Sequence, residues 1–517
     1  MLVLMRQRPV VERALRGWVA IVALAAPWMG GCGSSSSGAK GPDAGHPGSD
    51  AGKPDGNAAD STVADAPVGD GGLPDTAAID AHADGPLSGD TGGTTDAPLG
   101  PPDAGDDSGP VAIAADTFLS SIGVCAHVTQ GVDDPSMSAT AMKFAGIRNM
   151  RDDGSASTVP AWLTIHQQAG VRMDVLTNQD VAGTIAYAEM LAAQGALLAV
   201  EGPNEPNNFP VTYMGQTSGY MTTFLPVAHL QSDLYAAVKA DPMLAQIPVF
   251  HTSEAGGSEP DNVGLQFLTI PAGSSIAMPD GTRYADYANT HNYICGHSSV
   301  LSDNLCWNAS DPTLNGDWDG MYVEYGHTWH GGFMGYSNAD LPTVPRVTTE
   351  TGWVTTGTNA ITLEQQGRLF LNLYLAAFAQ GIRYTFVYML RDDPNQGYWG
   401  LFDTSYNPKT SGTYLHNLTT ILADTAAFAP GMLDYSIASL PTTVHDLLLQ
   451  KSTGTFELVV WDERPMGGTD TVTINLGHNR ATVNVYDPTT GTMPVQTLTN
   501  VSSAMLMLSD HPMILEL

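Results

Sequence analysis

The stretch Leu197-Leu198-Ala199-Val200-Glu201-Gly202-Pro203-Asn204-Glu205-Pro206 decides the fold. Its apolar opening reads as a strand buried on both faces, and Gly202 and Pro203 end that strand just where acidic side chains appear. Similar short apolar runs recur on both sides. Residues 118–125, 147–151 and 171–176 precede it, and 247–252, 287–293, 344–350 and 384–390 follow. Segments with helical spacing lie between them, at 181–194, 227–240 and 363–380. Eight strands alternating with helices predict a closed (β/α)8 TIM barrel over residues 113–428. A doubly wound open sheet would require a glycine-rich first turn, and Gly123-Val124-Cys125 supplies no phosphate loop.

Beyond residue 429 the pattern changes. Short β-rich runs at 444–450, 456–461, 471–476, 481–485 and 513–517 are separated by turn clusters such as Asp487-Pro488-Thr489-Thr490-Gly491. They predict a C-terminal antiparallel β-sandwich over 429–517.

The other end of the chain is an address and a spacer. Arg6, Arg8, Arg13 and Arg16 precede an apolar run from Trp18 to Met29, then Gly30, Gly31 and Cys32. A basic n-region, a short apolar h-region and small residues before the cut mark residues 1–31 as a secretory signal. Small residues before a Cys, with a Gly/Ser tract after it, resemble a bacterial lipoprotein signal, although Met29 stands where that pattern usually has Leu. The resemblance implies lipidation of Cys32, a lipid-anchored or secreted protein of the cell envelope, and no other membrane contact.

Residues 32–112 form the spacer. Between Gly33 and Pro110 there are fourteen Asp, two Lys and no Phe, Trp or Tyr, a formal charge of −12. Such a segment buries too little apolar surface to offset its ordering entropy, and its charges repel, so a disordered solvated stalk is expected. Its Asp periodicity contains no calcium-loop pattern.

Charge limits the partners. With 20 Lys+Arg against 53 Asp+Glu and a net charge of −33, nucleic acid is excluded as a partner. Four Cys are present. Cys295 and Cys306 share a polar loop that a disulfide could pin, and Cys125 reads as a buried free thiol. No C-x-x-C or H-E-x-x-H occurs, so no metal and no cofactor is expected.

In a barrel of this kind the chemistry sits at the C-terminal ends of the strands. Two ends stand out, Glu201-Gly202-Pro203-Asn204-Glu205-Pro206 after the fourth strand and Thr349-Glu350-Thr351-Gly352-Trp353 after the seventh. Paired carboxylates across a cleft are what glycosidic bond cleavage requires. Asn-Glu-Pro after strand four, with Glu ending strand seven, resembles clan A of the glycoside hydrolases over the barrel and, more loosely, the tail. The resemblance implies a retaining enzyme acting on a polysaccharide or glycoconjugate. Glu205 would be the acid/base, Glu350 the nucleophile, and Asn204 the partner of a sugar hydroxyl. Arg151, ending strand two, matches an Arg that pairs with the nucleophile, the alternative being a structural ion pair of Arg148 or Arg151. His291-Asn292-Tyr293 looks like the His-x-Tyr of family 5, whose Tyr donates to the nucleophile. Strand eight departs from that family. Its usual Trp is replaced in Val387-Tyr388-Met389-Leu390-Arg391-Asp392, and the stretch around Trp399 is closer to family 39-like members with sandwich tails.

Beside an ionised Glu350 a second carboxylate resists ionising, so Glu205 is expected to sit above its ordinary pKa range. Glu201 is expected to serve the barrel interior or support the site. Glu254 and Glu259 either line a subsite or face solvent. Trp307, Trp318, Trp329 and Trp399 are either sugar platforms or packing. The competing reading is a non-catalytic surface carbohydrate-binding protein on the same barrel, which needs neither Glu. A serine esterase is excluded, because no G-x-S-x-G occurs in the globular region. The chain is expected to act as a monomer.

Overall fold

The computed structural model describes residues 109–219, 222–253, 261–291, 293, 333, 335–337, 340, 343–357, 360–464 and 467–517. Cys32, Cys295, Cys306, Glu254, Glu259, Trp307, Trp318 and Trp329 lie outside them, as do the signal and nearly all of the stalk.

Eight parallel strands make the barrel: β1 (Ile122–Cys125), β2 (Asn149–Asp152), β3 (Arg172–Leu176), β4 (Leu197–Glu201), β5 (Val249–Phe250), β6 (Ala288–Asn289), β7 (Arg346–Thr351) and β8 (Ile382–Val387). Their order is β5-β4-β3-β2-β1-β8-β7-β6, and a parallel bridge from Phe250 to Tyr287 closes the ring. Register places Cys125 beside Arg151 and Thr351 beside Val387, so the strand ends that carry the site finish level with one another.

The helices are α1 (Pro135–Ala145), α2 (Val159–Ala169), α3 (Val181–Ala192), α4 (Leu225–Ala240), α5 (Leu363–Ala379) and α6 (Thr410–Ile421). Their ends follow local chemistry. Asp134 accepts from the N–H groups of Ser136 and Met137 to start α1, with Pro135 at the first helical position and left-handed Gly146 at its end. Thr362 and Gln365 form a reciprocal capping box on α5. The barrel's first strand is shorter than the apolar run suggests, because Phe118 and Leu119 belong to a short helix, Ala115–Leu119, and are buried there.

The tail holds β9 (Ser436–Ala438), β10 (Val444–Gln450), β11 (Phe456–Asp462), β12 (Asp470–Tyr486), β13 (Gln496–Leu508) and β14 (Met513–Glu516). These antiparallel strands are hydrogen-bonded into one sheet, and the short strand Ile113–Ala114 adds to its edge in parallel with β10. The β12–β13 pairing breaks register between Asn475 and Arg480. Val472 and Ile474 on one side of the break share an apolar cluster with Val483 and Val485 on the other, so the sheet encloses its own core.

Candidate active site

Both acidic strand ends change direction at a glycine. A Cβ on Gly202 would overlap Gln231 Oε1, and Gly352 (φ +146°) lies against the Tyr388 carbonyl. Two residues past Pro203, Glu205 itself takes φ +37°, a left-handed conformation that costs a non-glycine residue on the order of 1–3 kcal/mol. The Glu205 N–H donates to Ser253 Oγ at 3.3 Å, and Asn208 Nδ2 donates to Glu205 Oε2 at 2.9 Å.

Arg151 organises the floor of the site. Its Nε and Nη2 donate to Glu201 Oε2 (2.8 Å) and Oε1 (2.9 Å), Nη2 also donates to Asn204 Oδ1 (2.8 Å), and Nη1 donates to Glu350 Oε1 (2.6 Å). The other Glu350 oxygen accepts from Tyr293 Oη at 2.6 Å. Thus Arg151, not Arg148, serves the strand-seven carboxylate; Arg148 makes the structural ion pair, with Asp116.

Glu201 is fully buried and supports the site, as its place in an apolar strand implies. Burial pushes its carboxyl up, but Arg151 outweighs that and holds it below the ordinary range. Next to it, buried Asp174 finds no donor for either oxygen among the described residues, and burial followed by the charge of Glu201 pushes its carboxyl well up. Burial opposes the charge of Arg151, yet Glu201 and Glu350 hold its guanidinium well above the usual value. Burial, then the charge of Glu350, raises the phenol of Tyr293, which therefore stays a donor.

The expected upward shift of the Glu205 pKa is not what its surroundings produce. Its Oε1 lies 2.6 Å from Nδ1 of His291, a fully buried ring. Burial pushes Glu205 up, but the hydrogen bond and charge of His291 win, and the carboxyl sits below its ordinary range. Correspondingly, burial lowers His291 while Glu350 and Glu205 raise it further. The like-charge argument is outweighed because His291 lies directly against Glu205, while Glu350 faces Arg151 and Tyr293.

One carboxylate oxygen of Glu205, one of Glu350 and a ring nitrogen of His291 all lie within 4.8 Å of one another. The set does not suit a cation, since both Glu350 oxygens are taken by Arg151 and Tyr293 and a guanidinium already fills the cationic position.

Trp399 stands at the edge, its ring 5.5 Å from Tyr293 and 6.1 Å from Tyr388 in edge-on contacts. Tyr388, just past β8, also meets His127 edge-on at 5.4 Å. Thus Glu205, Glu350, Asn204, Arg151, His291 and Tyr293 converge, with Trp399 beside them. Sequence reasoning missed Thr349, Asn289, Asn208, Asp174, Tyr388 and His127. Of these, Thr349 beside Glu350, Asn289 in the sixth strand run, Asn208 three residues past Glu205 and Tyr388 in the strand-eight run carried a positional signal.

No family model matches the sequence, and no curated protein matches it. Solved structures are similar at low identity. They include a glucosidase from Croceicoccus marinus (12% identity, TM-score 0.48) and a GH51 arabinofuranosidase from Xanthomonas axonopodis pv. citri (12%, 0.46). A GH30 endoxylanase from Clostridium papyrosolvens C71 is also similar (12%, 0.45). Each similarity covers 79% of this chain and 97% of the other. The functional reading therefore rests on the site itself.

Proposed function

We propose that this chain is a retaining glycoside hydrolase that cleaves O-glycosidic bonds by double displacement. The observation that carries the reading is the pair of strand-end carboxylates with oxygens within 4.8 Å of each other. Retaining enzymes hold their carboxyl groups about 5–5.5 Å apart, whereas inverting ones leave roughly 6.5–9.5 Å for a water. Glu350, held between Arg151 and Tyr293, attacks the anomeric carbon. Glu205 protonates the departing oxygen and then takes a proton from the water that releases the sugar. A carbohydrate-binding protein has no use for a guanidinium and a phenol locked onto one carboxylate.

The test is turnover of a panel of aryl glycosides and polysaccharides by the wild type, Glu350→Gln and Glu205→Gln. Turnover that is lost in Glu350→Gln supports the reading, and wild-type activity in that variant ends it. Stereochemistry is read by NMR, where an initial product of inverted configuration would reject double displacement.

A tether belongs to the same reading. The small residues before Cys32 and the acidic run after it support lipid attachment at Cys32, holding the enzyme at the cell envelope on a long spacer. Cys32→Ala should release it from membranes, and continued partitioning there would refute the anchor.

A further inference from the structure

Both ring nitrogens of buried His291 have partners, Nδ1 at 2.6 Å from Glu205 Oε1 and Nε2 at 3.1 Å from Thr349 Oγ1. The hydrogens around Thr349 decide what each nitrogen carries. Its hydroxyl owns one hydrogen and two lone pairs. Asn289 Nδ2, which can only donate, lies 2.8 Å from that oxygen and fills one lone pair. The hydroxyl's own hydrogen has three acceptors in reach, Glu201 Oε1 at 3.1 Å, Asn289 Oδ1 at 3.0 Å and, when bare, Nε2 itself at 3.1 Å, and the carboxylate of Glu201 is the strongest of them. One lone pair remains, and it faces Nε2. With the hydroxyl turned to Glu201, that nitrogen carries a hydrogen.

With Nε2 protonated, the contact between Nδ1 and Glu205 holds one proton, on either the nitrogen or the oxygen. Without it, two lone pairs would face each other at 2.6 Å. The surroundings fit a single proton. Glu350 Oε2 lies 3.7 Å from Nδ1, Arg151 bridges Glu350 and Glu201, Tyr293 donates to Glu350, and Asp174 sits beyond Glu201.

We propose that Glu205 and His291 hold the acid proton as one shared unit, with His291 as its store and Thr349, tied to Glu201, as the residue that fixes the imidazole tautomer. This rests on the glycoside hydrolase reading. In the first step the proton passes from Nδ1 through Glu205 to the glycosidic oxygen. The C–O bond breaks with its electrons going to that oxygen, and Glu350 bonds to the sugar carbon. The pair then holds no proton. In the second step water attacks the same carbon, Glu350 leaves with its electron pair, and the water's proton restores the unit. His291 and Thr349 are positioning residues, acting through Glu205.

Two measurements test this. The first uses ¹⁵N-labelled histidine in the folded protein and needs no substrate. Nε2 of His291 should stay protonated, the ring should titrate above the ordinary value of about 6.5, and Glu205→Gln should lower that midpoint by at least about one pH unit. A bare Nε2, or a midpoint indifferent to Glu205→Gln, overturns the shared proton. The second compares leaving groups. His291→Asn, its folding checked by circular dichroism, should lose roughly 100-fold on an alkyl glycoside but only a few-fold on a dinitrophenyl glycoside, which needs little protonation. Its alkaline limb should also move to lower pH. Equal losses on both substrates with an unmoved limb would reduce His291 to a structural support. If the wild type turns over no glycoside, the functional reading fails, while the ¹⁵N measurement still decides the shared proton.

Discussion

Nη1 of Arg151 stands 2.6 Å from Oε1 of Glu350, and the rest of the same guanidinium is held by Glu201 and Asn204. One buried cation thus ties β2 to the ends of β4 and β7. The guanidinium makes four hydrogen bonds here from a rigid planar fork, whereas an ammonium has three donors on a single nitrogen at the end of a flexible stem. The two carboxylates it holds are not equivalent. Glu201 is sealed inside the barrel, whereas the Glu350 side chain keeps 12% of its surface exposed toward the cleft.

Removing this cation should damage the fold as well as the chemistry. Arg151→Met leaves Glu201 buried without a counter-charge, and breaking a buried pair costs about 3–5 kcal/mol. Urea unfolding should register that loss, and an unchanged midpoint would contradict the described network. Arg151→Lys keeps the charge but misplaces Glu350, so kcat should fall about 10²-fold with a smaller loss of stability.

The aromatic edge makes a separate prediction about binding. Trp399 is half-buried and meets Tyr293 and Tyr388 edge-on. An aromatic contact of this kind contributes about 0.5–1.5 kcal/mol, so Trp399→Ala should raise KM roughly twofold to tenfold, and Trp399→Phe should recover part of it. A fall in kcat at constant KM would mean that Trp399 acts by holding Tyr293 and not by touching sugar.

The barrel was legible because parallel strands covered on both faces are written as continuous apolar runs. That signal placed Glu201 and Glu350 within β4 and β7 and put Arg151 on β2. It was weaker where little strand exists. β5 and β6 are two residues long each, and His291 and Tyr293 lie beyond β6, not within it. Phe118 and Leu119 misled because a buried helical turn and a buried strand look alike over a few residues. Strand β13 was missed although Ala504, Leu506 and Leu508 are buried, because Met505 and Met507 alternate with them on the exposed face. The charge state of Glu205 was not legible at all, since it depends on a 2.6 Å contact with a residue 86 positions away.

Asp174 offers a check on the proton inventory beneath the site. In its protonated form it can donate toward Glu201, a role an amide can also fill. Asp174→Asn should therefore change unfolding free energy at pH 7 by no more than about 1 kcal/mol, the net worth of one hydrogen bond, and leave kcat close to wild type. A gain of several kcal/mol would reveal that the wild type had been burying an uncompensated carboxylate.

A second buried acid, remote in sequence from the proposed chemistry, should set part of the pH dependence of stability. Asp462 ends β11 and is fully buried, with Arg464 Nε 3.7 Å away and itself closer, at 2.9 Å, to Asp470. Burial, followed by the charge of Asp470 and despite nearby Thr443 and the charge of Arg464, pushes its carboxyl up to about 7 from an ordinary 3.8. The folded state therefore binds this proton more tightly than the unfolded chain. Its contribution is complete at pH values below the unfolded pKa and is lost as pH rises through the folded one, at up to about 1.4 kcal/mol per pH unit. Asp462→Asn removes the titration while keeping the size and shape of the side chain. The variant and the wild type should be about equally stable near pH 3.5, and the variant should gain steadily up to pH 7 and level off above it. Urea midpoints measured across that range decide the matter. A difference that stays flat with pH, or that favours the wild type at pH 8, would mean that Asp462 is ionised in the folded protein and stabilised by Arg464.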